Sequence, residues 1–232
     1  AWWMLEAIPL APTALVPLVA FPALGVTTIN AAASPYASPT IFLFMGGFVL
    51  ALAMQRWNLH RRIALVTVML VGVKPKRLVL GFMVATGFLS MWVSNTATAV
   101  MMLPIGLSVL ALVGQLNNPD GKRSKFGTGL MLGIAYAASI ASLSTLIGTP
   151  PNALLRGYLA DNHDITIGFG QWMLMGFPVA WLLLFICWWL LTSVLFKPEI
   201  DELPGGKSLI KDELDAMGPM SHQEKLVGLV FL

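Results

Sequence analysis

The stretch LVLGFMVATGFLSMWVSNTAT, residues 78–98, decides the fold of this chain, and it continues to Pro119 without an Asp, Glu, Lys or Arg. Its middle carries the polar run Ser94-Asn95-Thr96-Ala97-Thr98, set in apolar surroundings where an unsatisfied polar group costs several kcal/mol. Such a run must find partners or bind something. Lys74, Lys76 and Arg77 precede the stretch and Lys122, Arg123 and Lys125 follow it, so the excess of positive charge puts both ends on the cytoplasmic side. Leu78 to Val93 gives only about 24 Å of helix, less than the ~30 Å of a hydrocarbon core. The expectation is a re-entrant helical hairpin with its tip near Ser94 to Thr96. Irregular backbone at that depth is tolerated only where it is buried in protein or lines a cavity, so a binding site is expected at the tip.

Working outward, the composition agrees with an all-α polytopic membrane protein. Apolar residues make up 57% of the 232, charged residues only 11%, and the mean hydropathy is +0.78. The net charge of +3 comes from short basic clusters between apolar runs, which fits cytoplasmic loops and not a nucleic-acid surface. Cys187 is the only cysteine, so intrachain disulfides and multi-thiolate metal sites are excluded. Ala1 to Glu6 carry no basic n-region and do not look like a signal peptide, and Leu226 to Leu232 begin an apolar run that stops. The chain reads as a piece of something longer.

Before the hairpin, Ile8 to Val26 is a first candidate span, interrupted by Pro9, Pro12, Pro17 and Pro22, and Thr40 to Gln55 is a second. Gly46-Gly47 in the second span would let a neighbouring helix approach. Eleven residues, Ile63 to Val73, then lie between two basic clusters; at about 16 Å they are too short to cross and should lie along the interface. His60, in the first cluster, reads as solvated or facing headgroups.

After the hairpin, Phe126 to Ile147 is long enough to span and ends in Gly148-Thr149-Pro150-Pro151-Asn152, where the two prolines break the helix. A short helix carrying Arg156 follows to about Leu159, then an acidic loop, Asp161 to Asp164. Gly168 to Phe196 returns, and the polar tract 197–225 reads as a cytoplasmic linker between membrane halves. No phosphate-binding glycine loop, zinc-protease helix or nucleophile elbow appears.

Two interrupted membrane segments are therefore the informative pair. Broken helices offer carbonyl oxygens at C-terminal ends and amide donors at N-terminal ends, the first suited to Na⁺ and the second to carboxylate or sulfate. Ser90, four residues before Ser94, would share its face, so Ser90, Ser94 and Asn95 offer oxygens to one small cation, with carbonyls near Gly148 to complete the shell. Thr96 and Thr149, with freed amides, are candidates for an anionic substrate. Against this stands the plain alternative that each hydroxyl bonds its own i−4 carbonyl and that Ser-Asn-Thr merely locks a helix pair. An intramembrane enzyme would need a buried base or metal ligand that the long uncharged spans lack, whereas a structural membrane subunit stays open.

Ala1-Trp2-Trp3 with Glu6 to Pro9, Phe44 to Phe48, Leu59 to Leu65, Ser94 to Ala99 and Ile147 to Asn152 resemble the divalent anion:sodium symporters over most of the chain. The resemblance implies an inverted-repeat ion-transporter fold whose members carry succinate, malate, citrate or sulfate, usually with Na⁺, as homodimers in the cell membrane working by an elevator motion. It implies that Ser90, Ser94, Asn95 and the Gly148 carbonyl enclose a sodium ion, and that Ser94, Asn95 and Thr96 meet a substrate carboxylate. Residues 1–77 would be scaffold and dimerisation elements with the interfacial segment, 78–160 the transport-domain hairpin and broken helix, 161–196 the returning helix, 197–225 the linker and 226–232 the start of a second repeat. That second repeat, with its own hairpin and Ser-Asn-Thr motif, is not in this sequence. Sodium/dicarboxylate symport is the leading expectation; a sulfate or citrate carrier or a dicarboxylate exchanger of the same fold is the alternative.

Overall fold

Among the described residues every regular element is helical, in keeping with the long apolar runs. The computed structural model describes residues 8–72, 74–117, 124–199 and 206–230. The Trp2-Trp3-Glu6 start, the Pro119-Asp120-Gly121 turn with Lys122 and Arg123, Gly205 and the last two residues lie outside them. The chain divides into two units, Ala1–Met45 and Gly46–Leu232.

In the first unit, Leu10–Ala23 (α1) begins after an extended Pro9 and holds Pro17 and Pro22 inside the helix. Thr13 Oγ1 donates to the Pro9 carbonyl at 3.1 Å. Ile29–Ala33 (α2) is capped by Thr28, whose side chain accepts from Ala31 N–H, so the polar stretch after Thr27 is partly helical. Tyr36 donates its hydroxyl to the Ala14 carbonyl at 2.7 Å and ties the following 3₁₀ turn to α1. Pro39–Arg56 (α3) runs across the boundary of the units.

The second unit is built around Pro75–Ser90 (α5). Leu59–Val71 (α4) precedes it, entered through Asn58 with a left-handed φ of 56° and left through Gly72 at φ 103°. Pro75 starts α5 where no donor is needed. At sixteen residues α5 has the length expected of the inbound arm but lies three residues earlier than Leu78 to Val93, and most of it is buried, with Phe82, Met83, Ala85 and Leu89 wholly so. A Cβ on Gly81 would stand 3.1 Å from Val68 Cα, and one on Gly87 would meet Leu184 and Ala141 at 2.9 and 3.0 Å. Thus α4 on one side, Lys125–Ala141 (α7) on another and Phe169–Trp189 (α9) behind wrap α5 in protein. Met91 to Ser94 form the turn, and Asn95–Asn117 (α6) leaves it. Lys125–Ser144 and Phe169–Leu195, the latter finishing in a π-helical turn, are long and apolar enough to cross a membrane. Only 17% of the second is buried, against 56% of the first, so α9 presents its flanks outward while α7 is interior.

Several expectations need correction. The second break starts at Ser142, six residues before Gly148: α7 ends at Ala141, a 3₁₀ turn covers Ser142–Ser144, and Pro150–His163 (α8) follows. Ser142 Oγ donates to the Ser139 carbonyl at 2.8 Å, and side-chain competition of this kind ends helices without proline. Asp161 belongs to the last turn of α8, which stops at Asp164 with φ 55°, so no four-residue acidic loop exists. Of the glycine pair, Gly47 approaches Ile147, whereas Gly46 faces open space.

The polar tract also differs from a plain linker. Gly206–Ala216 (α10) and His222–Val230 (α11) are helices packed on α4. Arg61 pairs with Glu213, and Arg62 Nε donates to Glu224 Oε1 at 2.9 Å. Glu224 also accepts from Ser221 N–H, while Ser221 Oγ accepts from Glu224 N–H, a reciprocal cap on α11. Burial pushes the Glu224 carboxyl up, but hydrogen bonds from Arg62 and Ser221 outweigh it and hold the group below its ordinary value. His60 is buried, not solvated: Nδ1 donates to the Met54 carbonyl at 3.2 Å. Burial lowers its pKa, the Met54 bond opposes this and Arg61 adds to it.

Candidate functional site

Both breaks sit next to α5 and α7, and two hydrogen bonds run from the first break to α7 and the second break. The first is made by Ser90, the last residue of α5, whose side chain is fully buried. Its Oγ lies 2.6 Å from the Ala138 carbonyl on α7 and 3.0 Å from Asn95 Oδ1 at the start of α6. A hydroxyl has one proton. Once it is given to Ala138, Ser90 Oγ and Asn95 Oδ1 face each other as two acceptors. Either the Asn95 amide turns to offer Nδ2, or a cation satisfies both oxygens.

The plain alternative of i−4 bonding describes other hydroxyls of this chain but not Ser90. Thr67, Ser108, Thr128, Ser139 and Thr192 each donate to the carbonyl four residues back. Ser90 reaches across to α7 instead.

The second link is made by Thr145, whose Oγ1 donates to the Met91 carbonyl at 2.5 Å and, within the second break, accepts from Gly148 N–H at 3.0 Å. Asn152 holds the far edge of this loop: its Nδ2 donates to the Ser142 and Thr145 carbonyls at 3.2 and 2.8 Å. Trp172 Nε1 donates to the Leu143 carbonyl at 3.0 Å. The carbonyls freed by the break are thereby taken up one after another. The Gly148 carbonyl receives no hydrogen bond from the described residues. Gly148 itself is buried, and only glycine fits, since a Cβ there would come 2.3 Å from the Ser142 carbonyl oxygen.

Ser94 lies off the inbound helix, because α5 ends at Ser90 and the turn intervenes; the shared face with Ser90 does not form. It is exposed, and its Oγ accepts from Ala97 N–H at 3.4 Å, capping α6. Thr96 is exposed in the first turn of α6 and Thr149 half-buried before α8. The two N-termini differ in the backbone donors they leave free. Pro150 and Pro151 take two donors from α8, whereas the amides of Asn95 and Thr96 have no acceptor among the described residues. Thr86, Thr98 and Ser144 also keep buried hydroxyls without a partner among the described residues.

Thr145, Asn152 and the Ala138 carbonyl were missed as parts of the site. Asn152 had a signal, standing directly after the proline pair; Thr145 and Ala138 had none, since their partners are 54 and 48 residues away. A cavity of about 260 Å³ lies elsewhere, where His60, Arg61, Ser108 and Glu213 meet, and belongs to the docking of α10.

Comparison with known proteins completes the picture. The sequence is 45% identical over 234 residues to the sodium-dependent dicarboxylate transporter SdcS of Staphylococcus aureus strain USA300, and equally to that of strain NCTC 8325. Each match covers 100% of this chain and 45% of the relative, so the chain spans about half the length of the curated relatives it matches. The family described as the sodium:sulfate symporter transmembrane region matches residues 1–232. Matched by that family over its whole length, the chain belongs to it.

Proposed function

We propose that this chain forms part of a sodium-coupled carrier of a divalent anion, a C4-dicarboxylate such as succinate or malate in the first instance. The observation that carries the reading is the Ser90–Ala138–Asn95 junction, where Ser90 Oγ and Asn95 Oδ1 lie 3.0 Å apart and the one Ser90 proton can serve only one of its two acceptors. Ser90, Asn95, Ser94 and the Gly148 carbonyl are the sodium ligands in this reading. Neutral oxygens suit a cation that must be released in each cycle. The anion is met by Ser94, Asn95 and Thr96 through hydroxyls and the amides at the start of α6, with Thr149 beside the second break. The sodium-dependent dicarboxylate transporter of S. aureus, identical at 45% of positions, supports both the ion and the substrate class.

The protein works as a multi-pass transporter of the cell membrane and not as an enzyme, as a homodimer whose residues 78–160 move against a scaffold in an elevator-type exchange of access. An inverted repeat outside this sequence supplies the other half of the anion site. Sulfate is the second reading, favoured by the family's description. Uptake of labelled succinate by the full-length protein in liposomes, under inward Na⁺ or K⁺ gradients at fixed membrane potential, tests the proposal. Uptake with Na⁺ alone is expected and competition by unlabelled sulfate decides the second reading; uptake indifferent to Na⁺ but stimulated by internal succinate would replace symport with exchange.

A further inference from the structure

Thr145 touches both breaks with a single hydroxyl. Its side chain is fully buried and its backbone extended, φ −127° and ψ 159°. The proton goes to the Met91 carbonyl, directly after Ser90, and an oxygen lone pair receives the Gly148 N–H. Gly148 is the residue between the loop and α8 whose carbonyl receives no hydrogen bond among the described residues. The loop is also held from its other side, because Asn152 binds the carbonyls of Ser142 and Thr145. With Thr145 fixed at both its hydroxyl and its carbonyl, the Gly148 N–H has a fixed anchor on the α5 side. Displacing Thr145 would let that segment move relative to Ser90 and Asn95.

We infer that Thr145 is a positioning residue for the coupling cation: it sets the distance from the Gly148 carbonyl to the Ser90–Asn95 oxygen pair without ligating the ion. This rests on the sodium reading given above. The proton and one acceptor position of Thr145 are already engaged, so its effect passes through the backbone it holds. Valine keeps the branched shape and removes both hydrogen bonds. Serine keeps both bonds and loses a methyl.

The test uses the full-length protein in liposomes, with Thr145→Val and Thr145→Ser. Half-saturating Na⁺ is measured at fixed succinate, succinate KM at saturating Na⁺, and thermal stabilisation by Na⁺ in the absence of substrate. Thr145→Val is expected to raise half-saturating Na⁺ by about tenfold or more. Succinate KM at saturating Na⁺ should stay within about twofold, Na⁺ stabilisation should shift to the same higher concentrations, and Thr145→Ser should behave as wild type. Unchanged Na⁺ dependence in Thr145→Val, or a lower maximal rate alone, overturns the inference. Should Thr145→Val fail to fold, Thr145→Ala prepared in high Na⁺ replaces it; collapse of both beside a normal Thr145→Ser assigns the hydroxyl to folding alone and also overturns it. Wild-type uptake that ignores Na⁺ refutes the sodium reading instead, whatever the variants do.

Discussion

Gly148→Ala is the sharpest perturbation of the second break. The added Cβ would lie 2.3 Å from the Ser142 carbonyl oxygen and 3.0 Å from Ser142 C and Cα, all backbone atoms that no rotamer change can move aside. Ordinary contact begins near 3.4 Å, so the loop must open by about 1 Å. The Ser142 oxygen already sits 3.2 Å from Asn152 Nδ2, at the outer edge of hydrogen-bond range, and that opening breaks the bond. Moving the Gly148 amide also strains its 3.0 Å bond to Thr145. One buried bond lost and a second strained come to about 2–4 kcal/mol. Thermal unfolding of the full-length protein in detergent measures this against Gly170→Ala, where a Cβ meets nothing within 4 Å and the expected change is about 0.5 kcal/mol or less. If the two variants melt alike, the loop is not held as described.

Two further outcomes follow from buried polar groups. Glu224→Gln leaves Arg62, whose side chain is 12% exposed, facing a neutral amide, and should loosen α10 and α11 from α4 by about 2 kcal/mol. Faster limited proteolysis between residues 206 and 230 at pH 7 is the readout; an unchanged rate would discount the pair. Because the folded carboxyl is held below its ordinary value of 4.5, this contribution is complete above that pH and is lost as pH falls through the lower folded value, so wild type should approach the variant in acid. Thr98→Val removes a buried hydroxyl without a partner among the described residues and should raise stability by about 1 kcal/mol while leaving Na⁺ dependence intact. Lost Na⁺ dependence would instead make Thr98 a ligand.

The short inbound arm was legible because charge, length and polarity all acted locally: sixteen residues, basic flanks and a Ser-Asn-Thr interruption point the same way. The proline pair likewise marked the second break, although its true start at Ser142 depends on a hydroxyl choosing the Ser139 carbonyl over solvent, a choice the pattern does not encode. Ser94 was assigned to the wrong helix for a geometric reason, since i and i+4 share a face only while the helix lasts. The docking of α10 and α11 was illegible in a different way. Arg62 and Glu224 are 162 residues apart, and a mixed-charge tract reads as solvated until its partner is known. His60 belongs to the same surprise, since its burial and its bond to the Met54 carbonyl have no counterpart in the local basic pattern.

The burial of α5 has a consequence for biogenesis. A helix of sixteen residues ending in Ser90 is too short to be delivered into lipid as an independent span, and its flank against α7 has no cover until Ala141 has been made. Roughly fifty residues separate Ser90 from Ala141, about 3–10 s of synthesis at ordinary ribosomal speeds. For that interval the nascent chain holds a polar tip with no Ala138 carbonyl to receive it, so the segment must wait at the translocon or the interface and enter together with α7. The packing thus predicts concerted insertion set by the later helix, which a nascent chain stopped before Ala141 would test by leaving residues 75–90 outside the bilayer.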